Sequence, residues 1–181
     1  MTNTVGHSHV PIYRVVRRSW GNPIDTAFSQ SANIDNRWNT TAFPALYCCC
    51  SEAVARAIVR DVFKIAGAAV TDLLEPAYPR LVEIEWQGDL VDMVTEAAIA
   101  SAGFAADSYP AGIDHRQTQV LGATWHALGA MGVLCRSASM ARSGFDAWRG
   151  DHAEWSEVAL YPENCSAKPI VLNRREDLNW L

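Results

Sequence analysis

The chain has 181 residues, 49% of them apolar and 19% charged, with a formal net charge of −5. That length supports one well-buried core and is short for two independent domains. The acidic balance excludes the broad cationic surface that tracking a phosphate backbone requires, so no direct nucleic acid partner is expected. No apolar run approaches the roughly 18 residues of a membrane span, and Met1–Val10 is polar where a secretory signal would be basic and then apolar. The expectation is a cytoplasmic protein with no membrane partner.

Residues 1–11 read as a flexible N-terminal segment, and 12–181 as a single domain. His7 and His9 fall in that segment and are read as terminal residues rather than metal ligands. Ile12–Arg17 alternates Ile12, Arg14 and Val16 with Tyr13, Val15 and Arg17, the pattern of a strand. Asn22–Thr41, rich in Asn, Asp, Ser and Thr, predicts a long loop able to hold a ligand. Ala45–Cys49 fits a short buried strand, and Ser51 is placed to cap the helix that follows.

That helix is predicted over roughly Glu52 to Ile65, with Val54, Ile58, Val62 and Ile65 along its inner stripe. Leu81–Trp86 alternates as a strand with Val82, Ile84 and Trp86 opposite Glu83 and Glu85. The segment from Glu96 to Ile113, rich in Ala and Gly, suits a helix followed by a loop. A second amphipathic helix is predicted from about Arg116 to Ala130, with Val120, Leu121, Trp125 and Leu128 inward. Val133–Cys135 then runs as a strand into Arg136 and Ser137, Ala141–Glu154 is polar and turn-rich, and Glu157–Tyr161 and Ile170–Leu172 are closing strands. Short strands interrupted by two to four helices predict an α+β fold around a mixed, mostly antiparallel sheet.

Five cysteines fall at Cys48, Cys49, Cys50, Cys135 and Cys165. An odd count with three adjacent suits neither a disulfide framework nor the paired spacing of a structural zinc site, so buried reduced thiols are expected and no metal.

Taken in order, Arg14, Arg37-Trp38-Asn39, Tyr47, Thr118-Gln119-Val120-Leu121-Gly122, Trp125, Ser137 and Val158-Ala159-Leu160 resemble the RES domain family, covering about Ile12 to Tyr161. That family comprises toxins of bacterial toxin–antitoxin pairs, similar to ADP-ribosyltransferases, that destroy NAD. The resemblance implies an ADP-ribosyltransferase-like fold, NAD as substrate, and an antitoxin partner; it leaves a homo-oligomer open. It also implies catalytic roles for Arg37 and Ser137, and substrate binding by Arg14, Trp38, Asn39 and Tyr47.

The chemistry wants such groups. Arginines pair bidentately with a pyrophosphate, an aromatic ring stacks on a flat base, and a carboxylate stabilises the ribosyl cation formed when the nicotinamide bond breaks. Ser137 is not expected to be a nucleophile, because no His–acid pair stands at a suitable spacing.

Two departures stand out. Asp35 and Asn36 replace the paired glycines that precede the family's Arg. Counting from Tyr47 through Ser51, the family's Glu aligns with Ile58. Asp61 lies three positions later, within about 60° of the same helical stripe, and is the expected relocated carboxylate. Three readings follow: an NAD-consuming toxin that hydrolyses, phosphorolyses or transfers; a RES-like nucleotide-binding protein with weak or no catalysis; and an unrelated interaction domain.

Overall fold

A computed structural model describes residues 4–7, 11–31, 36–110, 112–144, 153–175, 177, 179 and 181. Eight strands form one sheet: β1 Thr4–His7, β2 Ile12–Arg17, β3 Leu46–Cys49, β4 Pro79–Glu85, β5 Gly88–Met93, β6 Gly132–Arg136, β7 Ser156–Leu160 and β8 Ile170–Arg175. Their order across the sheet is β1-β5-β6-β7-β3-β2-β4-β8. Every pairing is antiparallel except β5 with β6. Among the described residues four α-helices complete the fold: α1 Glu52–Ala66, α2 Glu96–Ser101, α3 His115–Ala127 and α4 Ala138–Arg142. The architecture is α+β with a mostly antiparallel sheet, as the pattern of short strands and two amphipathic helices implied. Among the described residues no helix is long and apolar enough to cross a membrane.

Period-two alternation divides the sheet into two faces. Ile12, Val16, Leu46, Cys48, Val82, Ile84, Leu134, Val158 and Leu160 fill one, where Trp20, Ile24 and Cys165 also pack. The other carries the helices. There α1 and α4 cover Cys49, Leu81 and the partly buried Tyr13 and Val15, while α2 and α3 cover Val91, Met93, Val133, Cys135 and Ala159. Arg37, Ser137 and Glu157 gather on this helical face. All five cysteines are free, and all but the half-buried Cys50 are buried.

Several expectations are corrected. The segment expected to be flexible supplies β1, which pairs Thr4 with Val91 through His7 with Gly88; the exposed edge of β5 offers backbone partners that a polar sequence can satisfy as well as an apolar one. The strand β5 itself and the short helix α4 also escaped the sequence reading. On α1 the buried residues are Val54, Ala55 and Val59, with Ile58 half-buried, whereas Val62 and Ile65 are 58% and 75% exposed. On α3 Val120 and Leu128 face outward, and Thr118, Gly122 and Trp125 face inward. On α3 the small Thr118 and Gly122 flank the path to Trp125, and the missing side chain at Gly122 is what lets the Trp38 backbone approach the helix.

Candidate functional site

One row of the sheet, read across its register, runs Tyr13 on β2, Cys49 on β3, Glu157 on β7 and Cys135 on β6. Directly opposed residues share a face, so the Glu157 carboxylate stands on the helical side between two thiols. The end of β6 then passes into Ser137, whose hydroxyl accepts a hydrogen bond from Met140 N at 3.3 Å and so caps α4. The same hydroxyl donates to Glu157 Oε1 at 2.6 Å.

The loop Asn36–Asn39 brings Arg37 to this row and is tied down at each residue. Gln119 of α3 donates to the Asn36 carbonyl at 2.7 Å. Trp38 is buried and stacks obliquely on Trp125, its indole N–H donates to Cys135 Sγ at 3.1 Å, and its carbonyl accepts from Tyr161 at 3.2 Å. Tyr47 accepts from Trp38 N and donates to Asn39 Oδ1, both at 2.9 Å. Asn39 in turn donates to the carbonyls of Ser29, Thr40 and Phe43. Gly122 completes the clasp, because a Cβ there would overlap the Trp38 carbonyl oxygen. The Thr118–Gly122 motif therefore anchors the Arg37 loop to α3.

Arg37 itself donates through Nη1 to the Arg136 carbonyl at 3.2 Å and Cys135 Sγ at 3.5 Å, with Nη2 3.8 Å from Glu157 Oε2. Burial works against its charge, but Glu157 and the surrounding thiol and phenol groups outweigh that penalty and hold the guanidinium cationic beyond its ordinary range. Tyr109 is wholly buried beside Arg37, and among the described residues its hydroxyl makes no hydrogen bond within ordinary distance and angle. Burial pushes the Cys135 thiol up to about 11, against the pull of Arg37, so it is a neutral acceptor rather than a nucleophile. The side chains of Arg37 and Glu157 keep 11% and 16% of their surface open. A cation and a carboxylate are thus held together with little of either exposed to solvent.

Of the residues expected at the site, Arg37 and Ser137 converge. Tyr47, Trp38 and Asn39 adjoin them as supports: the Tyr47 hydroxyl is engaged at both lone pair and proton, and Trp38 and Asn39 are buried. Arg14 does not join them. It shares the opposite sheet face with Ile12 and Val16, where it donates to the carbonyls of Pro23 and Asp25 at 2.9 and 3.1 Å and lies over Trp20.

Asp61 also stands apart, accepting from Arg142 Nε at 2.8 Å and Ser139 at 3.1 Å and thereby joining α1 to α4. Ile58 packs on the cluster that contains Cys49, the register partner of Glu157. Glu157 went unnoticed although a signal existed: alternation along β7 puts it on the same face as Ala159, where a solvated glutamate does not belong. Tyr109 lies in an aperiodic stretch that offered none. Among the described residues no group of His, Cys, Asp and Glu is disposed to hold a metal ion.

Known proteins agree with this architecture. The RES domain family model matches residues 11–180, and the chain belongs to that family. Among solved structures it is similar to a chain of the crystal structure of the M. tuberculosis MbcT–MbcA toxin–antitoxin complex, with a TM-score of 0.71 and 18% identity over 96% of this chain and 85% of that one. Comparison with curated proteins finds no match.

Proposed function

We propose that this chain is an NAD-consuming toxin that breaks the bond between nicotinamide and ribose and is neutralised by an antitoxin. The observation that carries the reading is the convergence of Arg37, Ser137 and Glu157 on one sheet face, in a RES domain whose fold resembles a chain from a toxin–antitoxin complex. A guanidinium kept cationic in a poorly hydrated recess binds phosphate strongly, because the charge-assisted bonds compete with little water. Nicotinamide leaves as a neutral base once the glycosidic bond breaks, and the positive charge passes to the ribose. The reaction is expected in the cytoplasm, with water, phosphate or a protein as the acceptor of ADP-ribose.

Such an activity would harm its own host, and an antitoxin that covers the Arg37 opening would suppress it. Nucleic acid contacts of the complex would come from that partner, since this chain is acidic. The test is incubation of purified protein with NAD in water, with phosphate, and with cell extract, following free nicotinamide. Release in at least one condition is expected. NAD-dependent thermal stabilisation without nicotinamide in any of the three would reduce the protein to a nucleotide-binding module.

A further inference from the structure

We infer that Glu157 is the carboxylate that faces the reacting ribose, supplied by strand β7 in place of the α1 position that Ile58 occupies. The inference rests on the NAD-cleaving reading and names a residue that the family resemblance did not point to. Three observations converge on it. Glu157 is the carboxylate that meets both other members of the constellation, with Oε1 held by Ser137 at 2.6 Å and Oε2 3.8 Å from Arg37. Among the described residues Oε2 accepts no hydrogen bond, and the side chain is 16% exposed, so one oxygen is fixed and the other remains open to an incoming group.

Ile58, in turn, packs on the cluster that includes Cys49, immediately beside Glu157 across the sheet. A carboxylate offered from the helix at 58 and one offered from the strand at 157 therefore serve the same neighbourhood, and having both would place two like charges in one nearly dry recess. The apolar residue at 58 is what a glutamate at 157 permits.

The step balances as follows. The bond between ribose C1′ and the nicotinamide nitrogen breaks, and its electron pair leaves on that nitrogen, which loses its positive charge. The resulting oxocarbenium ion lies against the Glu157 carboxylate, which stabilises it electrostatically. Water adds its oxygen to C1′ and passes a proton to Oε2 and then to solvent. The products are nicotinamide, ADP-ribose and one proton. Ser137 acts as a positioning residue, holding Oε1 so that the open oxygen points consistently.

The experiment compares the wild type with Glu157→Gln, which preserves size and the capacity to accept from Ser137 while removing the charge. Nicotinamide release is measured together with NAD affinity and melting temperature. Turnover at least 100-fold lower, with NAD affinity within a few-fold of the wild type, is the expected result. Should the glutamine variant fold poorly, Glu157→Asp provides the second arm: a folded aspartate variant retains measurable turnover that declines in kcat more than it changes KM. An active Glu157→Gln protein, or loss of turnover in Asp61→Asn with Glu157→Gln unaffected, overturns the assignment alone. A folded wild type that neither binds nor cleaves NAD overturns the functional reading and the assignment with it.

Discussion

Replacing the Tyr47 hydroxyl by hydrogen would sever two links at once, the one from Trp38 N and the one to Asn39 Oδ1. Both partners would be left with unmet polar groups close to or within the core, at about 1–3 kcal/mol for such a loss. Tyr47→Phe should therefore lower the melting temperature and, by loosening the loop that carries Arg37, raise KM for NAD; an unchanged melting temperature would remove Tyr47 from its supporting role. Asp61 is a residue of a different kind. The Arg142 guanidinium beside it, with further help from Ser139 and against some burial, holds its carboxyl below the usual carboxylate range. A depressed native value contributes stability that is complete above the ordinary value of 3.8 and is lost as pH falls through the depressed one. Asp61→Asn should accordingly cost under about 1 kcal/mol at neutral pH, since Arg142 is half exposed, and the gap from the wild type should close on acidification below about pH 4. Melting curves across that range decide it, and a gap that widens toward acid would contradict the pairing.

At the scale of elements, the close approach of α3 to the Arg37 loop depends on a single missing methyl group. Gly122→Ala would drive a Cβ into the backbone of Trp38, which cannot swing aside as a flexible side chain would. Overpacking of this sort costs about 1–3 kcal/mol, and here the displaced segment carries Arg37. The variant should lose both thermal stability and NAD affinity, measured by melting and by titration; full retention of both would show that α3 does not clasp the loop. This clasp also explains what was legible in the sequence. Strands β2 and β4 could be read from alternation, β3, β6, β7 and β8 as short strand-like runs, and the start of α1 from the Ser51 cap, because those signals are local. The buried stripes of α1 and α3 were legible only in part, at Val54 and Trp125, because Ala55, Thr118 and Gly122 are placed by how closely a neighbour approaches and not by hydrophobicity. Motif order singled out Arg37 and Ser137, which the fold brings to the same carboxylate, whereas Arg14 lies on the other sheet face, because alternation tells that a residue has a face and not which one. Asp61 was favoured by its helical angle to Ile58, yet α4, which supplies its partner Arg142, was invisible in a polar stretch.

For the whole molecule, the sheet acts as a divider. One face is packed without the site, while the other is split between the α1–α4 and α2–α3 pairs, and the row containing Glu157 lies where those two groups meet. Strand β6 serves both groups: buried Arg136 at its end donates to the carbonyls of Val94 and Ala106 at 2.8 and 2.9 Å, and its own carbonyl receives Arg37. The site is thus assembled from loops and strand ends distant in sequence, from Arg37 to Glu157, and only the complete fold brings them together. On the proposed reading, this assembly depletes NAD, and coexpression of the antitoxin should relieve the resulting growth inhibition. The most direct test is to induce the chain in bacteria and quantify intracellular NAD before growth slows, beside an Arg37→Ala variant confirmed to be folded. NAD should fall ahead of growth arrest with the wild type and hold steady with the variant. Growth arrest at constant NAD, or equal depletion by both proteins, would contradict the account.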